Sequence, residues 1–163
     1  MASIFTTSLA TFQITSDTTA PATFDASGYG ALTYTSVCPI ESIGPFGTAY
    51  DPVTFDDICT GLRQKIKGIN DNGDMEVILG YDDTDTGQGL LVTAGNDTST
   101  GDFNFKVTLP NKQNATGADA IIYFGGKVMS TNFVPGAAND VVKRNATIGI
   151  TTALVIVNST AGV

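Results

Sequence analysis

Phe103, Phe105, Val107 and Leu109 alternate with Asn104, Lys106 and Thr108, the two-residue period of a strand that buries one face. Met75, Val77, Leu79 and Tyr81 alternate less strictly with Glu76, Ile78 and Gly80. Further strand-like runs are Thr11–Thr15, Leu32–Val37, Lys65–Ile69, Ile121–Met129, Asp140–Ile150 and Ala153–Val157. Turn chemistry separates them at Asp71-Asn72-Gly73, Pro110-Asn111-Lys112 and Pro135-Gly136. One helix is predicted, Thr86–Ala94, with Asp83 or Asp85 as N-cap and Gly95 as its stop, although Gly87 and Gly89 weaken it. The pattern predicts an all-β fold with one short helix, a β-sandwich or barrel.

The stretch 42–60 breaks this rhythm. Gly44, Pro45, Gly47 and Pro52 each interrupt helix or strand, so it reads as a long loop. It nevertheless carries Phe46, Tyr50, Val53 and Phe55, which a loop left in water has no reason to hold. A long loop rich in aromatics is expected to be a contact surface for a partner. At the other extreme, Gly125-Gly126-Lys127 lies inside a strand-like run and lacks the spacing of a phosphate-binding loop, so the glycine pair is read as a bulge or a close backbone approach.

Composition changes the picture in two ways. The chain has 163 residues, 42% hydrophobic and 15% charged, which suits one globular domain with a sizeable core. Its formal charge of −8 is diffuse, with no basic patch, and argues against gripping a nucleic-acid backbone while leaving open a surface past which DNA slides. MASIFTTSLATFQIT has no basic start and is broken by polar residues, unlike a signal peptide. The longest mostly apolar run, Ile148 to Val157, is too short to span a bilayer. Cys38 and Cys59, the only cysteines, cannot form a disulfide scaffold, and buried free thiols are expected.

Signals of catalysis are sparse. Without histidine, Ser-His-Asp and Cys-His arrangements and His-ligated zinc are unavailable. Asp82, Asp83 and Asp85, and separately Asp71 and Asp74, form oxygen clusters, but neither follows the calcium-loop spacing; capping and turn formation account for them. A carboxylate-based hydrolase stays open, without the Trp platforms that sugar sites use. Asn-X-Thr sequons at Asn96, Asn114, Asn145 and Asn158 keep a secreted β-sandwich binding or adhesion module open as well.

The collinear order of several short motifs resembles the major tail tube protein of long-tailed, non-contractile bacteriophages. The resemblance runs from Tyr34-Thr35-Ser36-Val37 through Pro39 and Ser42-Ile43-Gly44 to Val53-Thr54-Phe55-Asp56-Asp57. It continues through the turn Gly68-Ile69-Asn70-Asp71-Asn72-Gly73, the strand Met75–Tyr81, and the helix around Gln88, Leu90 and Leu91. Val107-Thr108-Leu109-Pro110, Phe124 to Ser130, and Asp140-Val141-Val142 through Ala146 to Thr151 complete it. The first thirty residues match poorly, with Gly28 and Gly30 flanking Tyr29 where an arm should become the first core strand.

The resemblance implies a single domain, 1–163: an N-terminal arm and first strand (1–30), a long inter-ring loop (42–60) and the remaining β core (61–163). It implies self-assembly into stacked hexameric rings, a hollow virion tail tube built in the host cytoplasm, with no cofactor and no catalysis. The partners it implies are other copies, the tape-measure protein, tail-tip and terminator proteins, and DNA passing through unbound. Pro45, Phe46, Tyr50, Asp51, Val53 and Phe55 are the expected ring-stacking residues, and Asp74, Glu76 and Asp102 the candidate acidic residues of the lumen. The inner tube of a contractile tail or secretion device shares the fold and remains the neighbouring alternative.

Overall fold

The computed structural model describes residues 4–162, so the ends of the expected domain, residues 1–3 and 163, lie outside the described residues. Ten strands and two helices follow one another among those described. They are β1 (Thr11–Thr15), α1 (Ala26–Gly30), β2 (Tyr34–Ser36), β3 (Ile40–Ile43), β4 (Ala49–Asp57), β5 (Leu62–Asp71), β6 (Asp74–Gly80), α2 (Thr86–Asn96), β7 (Phe103–Leu109), β8 (Ala120–Val134), β9 (Lys143–Ile150) and β10 (Val155–Val157). The mostly-β fold and the helix α2 are as the sequence pattern predicts. β1 and β7 match the predicted runs residue for residue, with Phe12 and Ile14 of β1 and Phe103, Phe105 and Val107 of β7 buried at every second position.

One antiparallel sheet of eight strands runs β2-β1-β7-β8-β9-β6-β3, with β10 also paired to β8. β8 turns it into two layers. Its first half pairs with β7 and β10, its second half with β9, and Gly126 stands opposite both Phe103 and Ile150. A Cβ on Gly126 would lie 2.6 Å from the Gly149 carbonyl oxygen, so only glycine admits the backbone at this corner. The register shift falls just beyond, between Val128 and Ser130. The glycine pair is therefore a close approach.

Between the layers lies a core of Phe12, Ile14, Val37, Met75, Val77, Leu79, Phe103, Phe105, Val107, Phe124, Ala146 and Ile148, closed by Leu91 and Ala94 of α2. Phe105 stacks on Phe12 (centroids 5.7 Å apart) and on Phe124 (5.4 Å), binding β1, β7 and β8 together.

α2 starts at Asp85, whose carboxylate accepts the Gln88 N–H at 2.8 Å. It runs past Gly95 to Asn96; Gly95 packs close to Val128 and Thr131 of β8 instead of stopping the helix. Gln88, 1% exposed, donates its side-chain amide to the carbonyls of Gly80 (2.7 Å) and Cys38 (2.9 Å). This ties the helix to the end of β6 and to the β2–β3 link. Gln88→Leu strands both carbonyls and is expected to lower unfolding stability by about 3 kcal/mol, read from urea unfolding curves with unchanged slope. A loss below about 1 kcal/mol would show that water replaces the amide.

Three expectations are corrected. α1 is a second helix, one turn long, where Gly28-Tyr29-Gly30 suggested an entering strand. Asp25 caps it, accepting the Gly28 N–H at 2.8 Å, and this bond holds its carboxyl below the usual carboxylate range. Tyr29 is fully buried, stacked on Tyr123 at 5.7 Å, so tertiary packing overrides a weak local propensity. Both cysteines are free and exposed rather than buried, because Cys38 lies in the β2–β3 link and Cys59 in a tight turn. Finally, most of 42–60 is not a loop.

Candidate assembly interface

That stretch contains the end of β3, a link over 44–48, and β4, which pairs with β5 alone in a separate two-stranded sheet. The chain reverses at 58–61, where Gly61 takes φ +66°. Pro52 sits at a bulge, where the register shifts between Tyr50 and Pro52. In a ribbon with one neighbour per strand a missing N–H is tolerated there, which is why the prolines and glycines misled. At about 3.3 Å per residue, the ten residues of β5 extend the hairpin by roughly 30 Å.

The hairpin is amphipathic. Val53 stands opposite Ile66, Phe55 opposite Gln64 and Asp57 opposite Leu62, which places Val53, Phe55, Leu62 and Ile66 on one face. On the other lie Thr54 opposite Lys65, Asp56 opposite Arg63 and Pro52 opposite Lys67. Arg63 donates Nε and Nη2 to the two Asp56 oxygens at 2.6 and 3.0 Å, which holds the Asp56 carboxyl below its usual range. Lys67 covers the Tyr50 ring at 4.7 Å from its centroid. Asp56, Arg63 and Lys67 of the polar face thus have partners within the hairpin, whereas Val53, Phe55, Leu62 and Ile66 are exposed and Ile58 at the tip is 97% exposed. An apolar ribbon face left in water is the mark of a contact surface.

The residues expected to stack rings divide accordingly. Tyr50, Asp51, Val53 and Phe55 lie on the exposed hairpin and Pro45 is exposed in the link before it. Phe46 instead turns inward, its ring 5.7 Å from Phe124, and anchors the hairpin root to the core. Ile58, Leu62, Ile66 and Ile69 escaped the sequence reading. The signal for them was the alternation of β4 and β5 about Asp57 and Gly61, masked by Pro52.

Asp74 and Glu76 are exposed on the outer face of β6, opposite Gly149 and Thr147 of β9. Glu76 accepts the Asn145 side-chain amide at 3.2 Å. Asp102 differs: it lies 3.1 Å from Lys127 Nζ and accepts the Thr151 hydroxyl at 2.6 Å, so its charge is already matched. Elsewhere the acidic groups do turn and cap chemistry, Asp71 accepting the Gly73 N–H and Asp82 the Thr84 N–H and hydroxyl.

No family model matches the sequence and no curated protein matches it. Solved structures do. A chain from the sheath/tube terminator of an extracellular contractile injection system, PVC, in the extended state, superposes with TM-score 0.68 at 11% identity, over 96% of this chain and 98% of that one. A chain from the tail of an empty gene transfer agent particle, refined with C6 symmetry, gives TM-score 0.58 at 14% identity, covering 90% and 94%. The tail tube of SPP1 gives TM-score 0.55 at 12% identity, covering 93% and 77%. At these identities the likeness establishes the fold: this chain has the β architecture found in phage tails and phage-like injection devices.

Proposed function

We propose that the chain is a structural tail-tube subunit that assembles into six-membered rings stacked as a hollow tube, with no catalytic role. The observation that carries this reading is the amphipathic hairpin, whose apolar face has no partner among the described residues. The likeness to a tail refined with C6 symmetry supports the ring. In this reading the hairpin residues Tyr50, Asp51, Val53 and Phe55 join successive rings, with Pro45 and Phe46 fixing the hairpin root. Asp74 and Glu76 face the bore, and Asp102 reaches it only as an ion pair. DNA then meets carboxylates and small polar groups such as Asn145 and Thr147, and passes without being held. The tube sits in a virion tail, assembled in the bacterial cytoplasm with tape-measure, tail-tip and terminator proteins.

The inner tube of a contractile device is a second reading, supported by the likeness to a chain from a contractile injection system. Electron micrographs of native particles separate the two, because a contractile device carries a second wall outside its tube. For the tube itself, light scattering on size-exclusion fractions with negative-stain microscopy is the test. Hollow tubes or six-fold rings are expected on concentration. A protein that stays monomeric at every concentration and salt overturns self-assembly.

A further inference from the structure

The hairpin and a second unpartnered surface lie at opposite ends of the same layer. β4 and β5 are inserted between β3 and β6, so the hairpin leaves beside Asp74, the residue that stands opposite Gly149. At the far end of β6, Gly80 stands opposite Lys143 of β9, and Val134 of β8 is opposite that same lysine. Seven residues of β6 at about 3.3 Å each separate the two ends by roughly 20 Å.

At this far end Arg144 is 8% exposed, and its guanidinium lies 4.6 Å from the Phe133 ring centroid and 5.3 Å from that of Tyr81. The two rings meet edge to face at 5.2 Å. Arg144 takes part in none of the three ion pairs among the described residues. A cation this buried is ordinarily met by a carboxylate, and among the described residues none pairs with it. Around it Tyr81, Phe133 and Val142, whose carbonyl accepts the Tyr81 N–H, are all exposed. Apolar surface and a positioned, unmatched guanidinium therefore share one patch, and the rings that flank the guanidinium fix its plane.

The hairpin tip offers the complement. Ile58, in the turn directly after Asp57, is exposed together with Phe55 and Leu62, which stands opposite Asp57. Asp56 is committed to Arg63, whereas Asp57 accepts the Cys59 N–H at 2.9 Å and the Thr60 hydroxyl at 2.7 Å, one on each oxygen, and takes part in no ion pair among the described residues. Each oxygen keeps a free acceptor position. We propose that the Tyr81–Phe133–Arg144 patch is the seat for the hairpin tip of a second copy of this chain, with Asp57 of one copy paired to Arg144 of the next. This rests on the tube reading and deepens it by naming the receiving surface. Because donor and seat lie at opposite ends of one layer, the contact is head to tail and propagates instead of closing on a dimer.

Native Cys59, exposed in the turn, serves as the probe. In a Cys38→Ser background, Val142→Cys is expected to cross-link to Cys59 of the next copy under mild oxidation, giving a ladder on non-reducing gels. The ladder should disappear with thiol reductant or with Cys59→Ser. In parallel, Asp57→Arg and Arg144→Asp should each abolish tubes, and the double variant should restore them, with circular dichroism checking the fold of each. Tubes without a ladder, and unaffected by Asp57→Arg, overturn the seat and leave the tube reading standing. Neither tubes nor ladder at any concentration overturns both. A ladder with charge-swap rescue establishes the seat; if Arg144→Asp does not fold, the ladder and Asp57→Arg decide.

Discussion

A Val53→Glu, Ile66→Lys double variant is expected to fold as the wild type does and to form no tubes. The two positions stand directly opposite in the hairpin, so the new side chains face each other as an acid–base pair and the ribbon keeps its register. Both are exposed and neither belongs to the core, so thermal unfolding should move by no more than about 0.5 kcal/mol, the range of ordinary surface changes. Assembly is another matter. The apolar face would now carry an ion pair into a dry contact, and desolvating the pair costs more than its mutual attraction returns compared with the apolar residues it replaces. Every subunit of a tube repeats the contact, so the penalty recurs along its whole length. Size-exclusion chromatography with electron microscopy reads the outcome directly. Tubes of normal appearance from this variant would remove the hairpin face from the interface.

The fold was legible wherever one strand face meets the core. β7 shows its alternation because Phe103, Phe105 and Val107 point inward, and α2 announces itself through the Asp85 cap. The hairpin hid for the opposite reason. Neither of its faces packs on the core, and its alternation about Asp57 and Gly61 is masked by Pro52, which at the bulge looks like a strand breaker until its single-neighbour ribbon is known. Lys65–Ile69 was recognisable as a strand, but its partner was not, because pairing is a property of two segments at once. The Arg144 surround carried no local signal: Tyr81, Phe133 and Arg144 belong to different segments, and the β8–β9 register together with the end of β6 brings them together. Asp102 looked like a free acid beside a strand, and its neutralisation by Lys127 depends on the close β7–β8 pairing. What remained out of reach was long-range register rather than local propensity.

Phe105→Ala should do the reverse of the hairpin variant, damaging the fold while leaving the contact surfaces untouched. The ring is fully buried and stacks on Phe12 and Phe124, and Phe124 in turn meets Phe46 at the hairpin root. Removing it takes away the transfer free energy of the ring and leaves a cavity that rigid strands on both sides cannot fill, a cost of about 4 kcal/mol. For a domain of this size that corresponds to a fall in Tm of roughly 8–16 °C, measurable by circular dichroism. Volume is what the site requires, so Phe105→Leu should recover more than half of the loss. Well below its lowered Tm, Phe105→Ala should still give tubes, since Val53, Ile58 and Ile66 keep their exposed positions. The pair of variants thus separates two uses of hydrophobic surface in one chain. Phe105 stabilises the subunit, and in the proposed tube the hairpin face, unpartnered among the described residues, would drive the assembly. If Phe105→Ala loses tubes at temperatures where it is fully folded, the core and the hairpin are coupled through Phe124 and Phe46. That same result would place the hairpin root within the folding unit of the two-layered core.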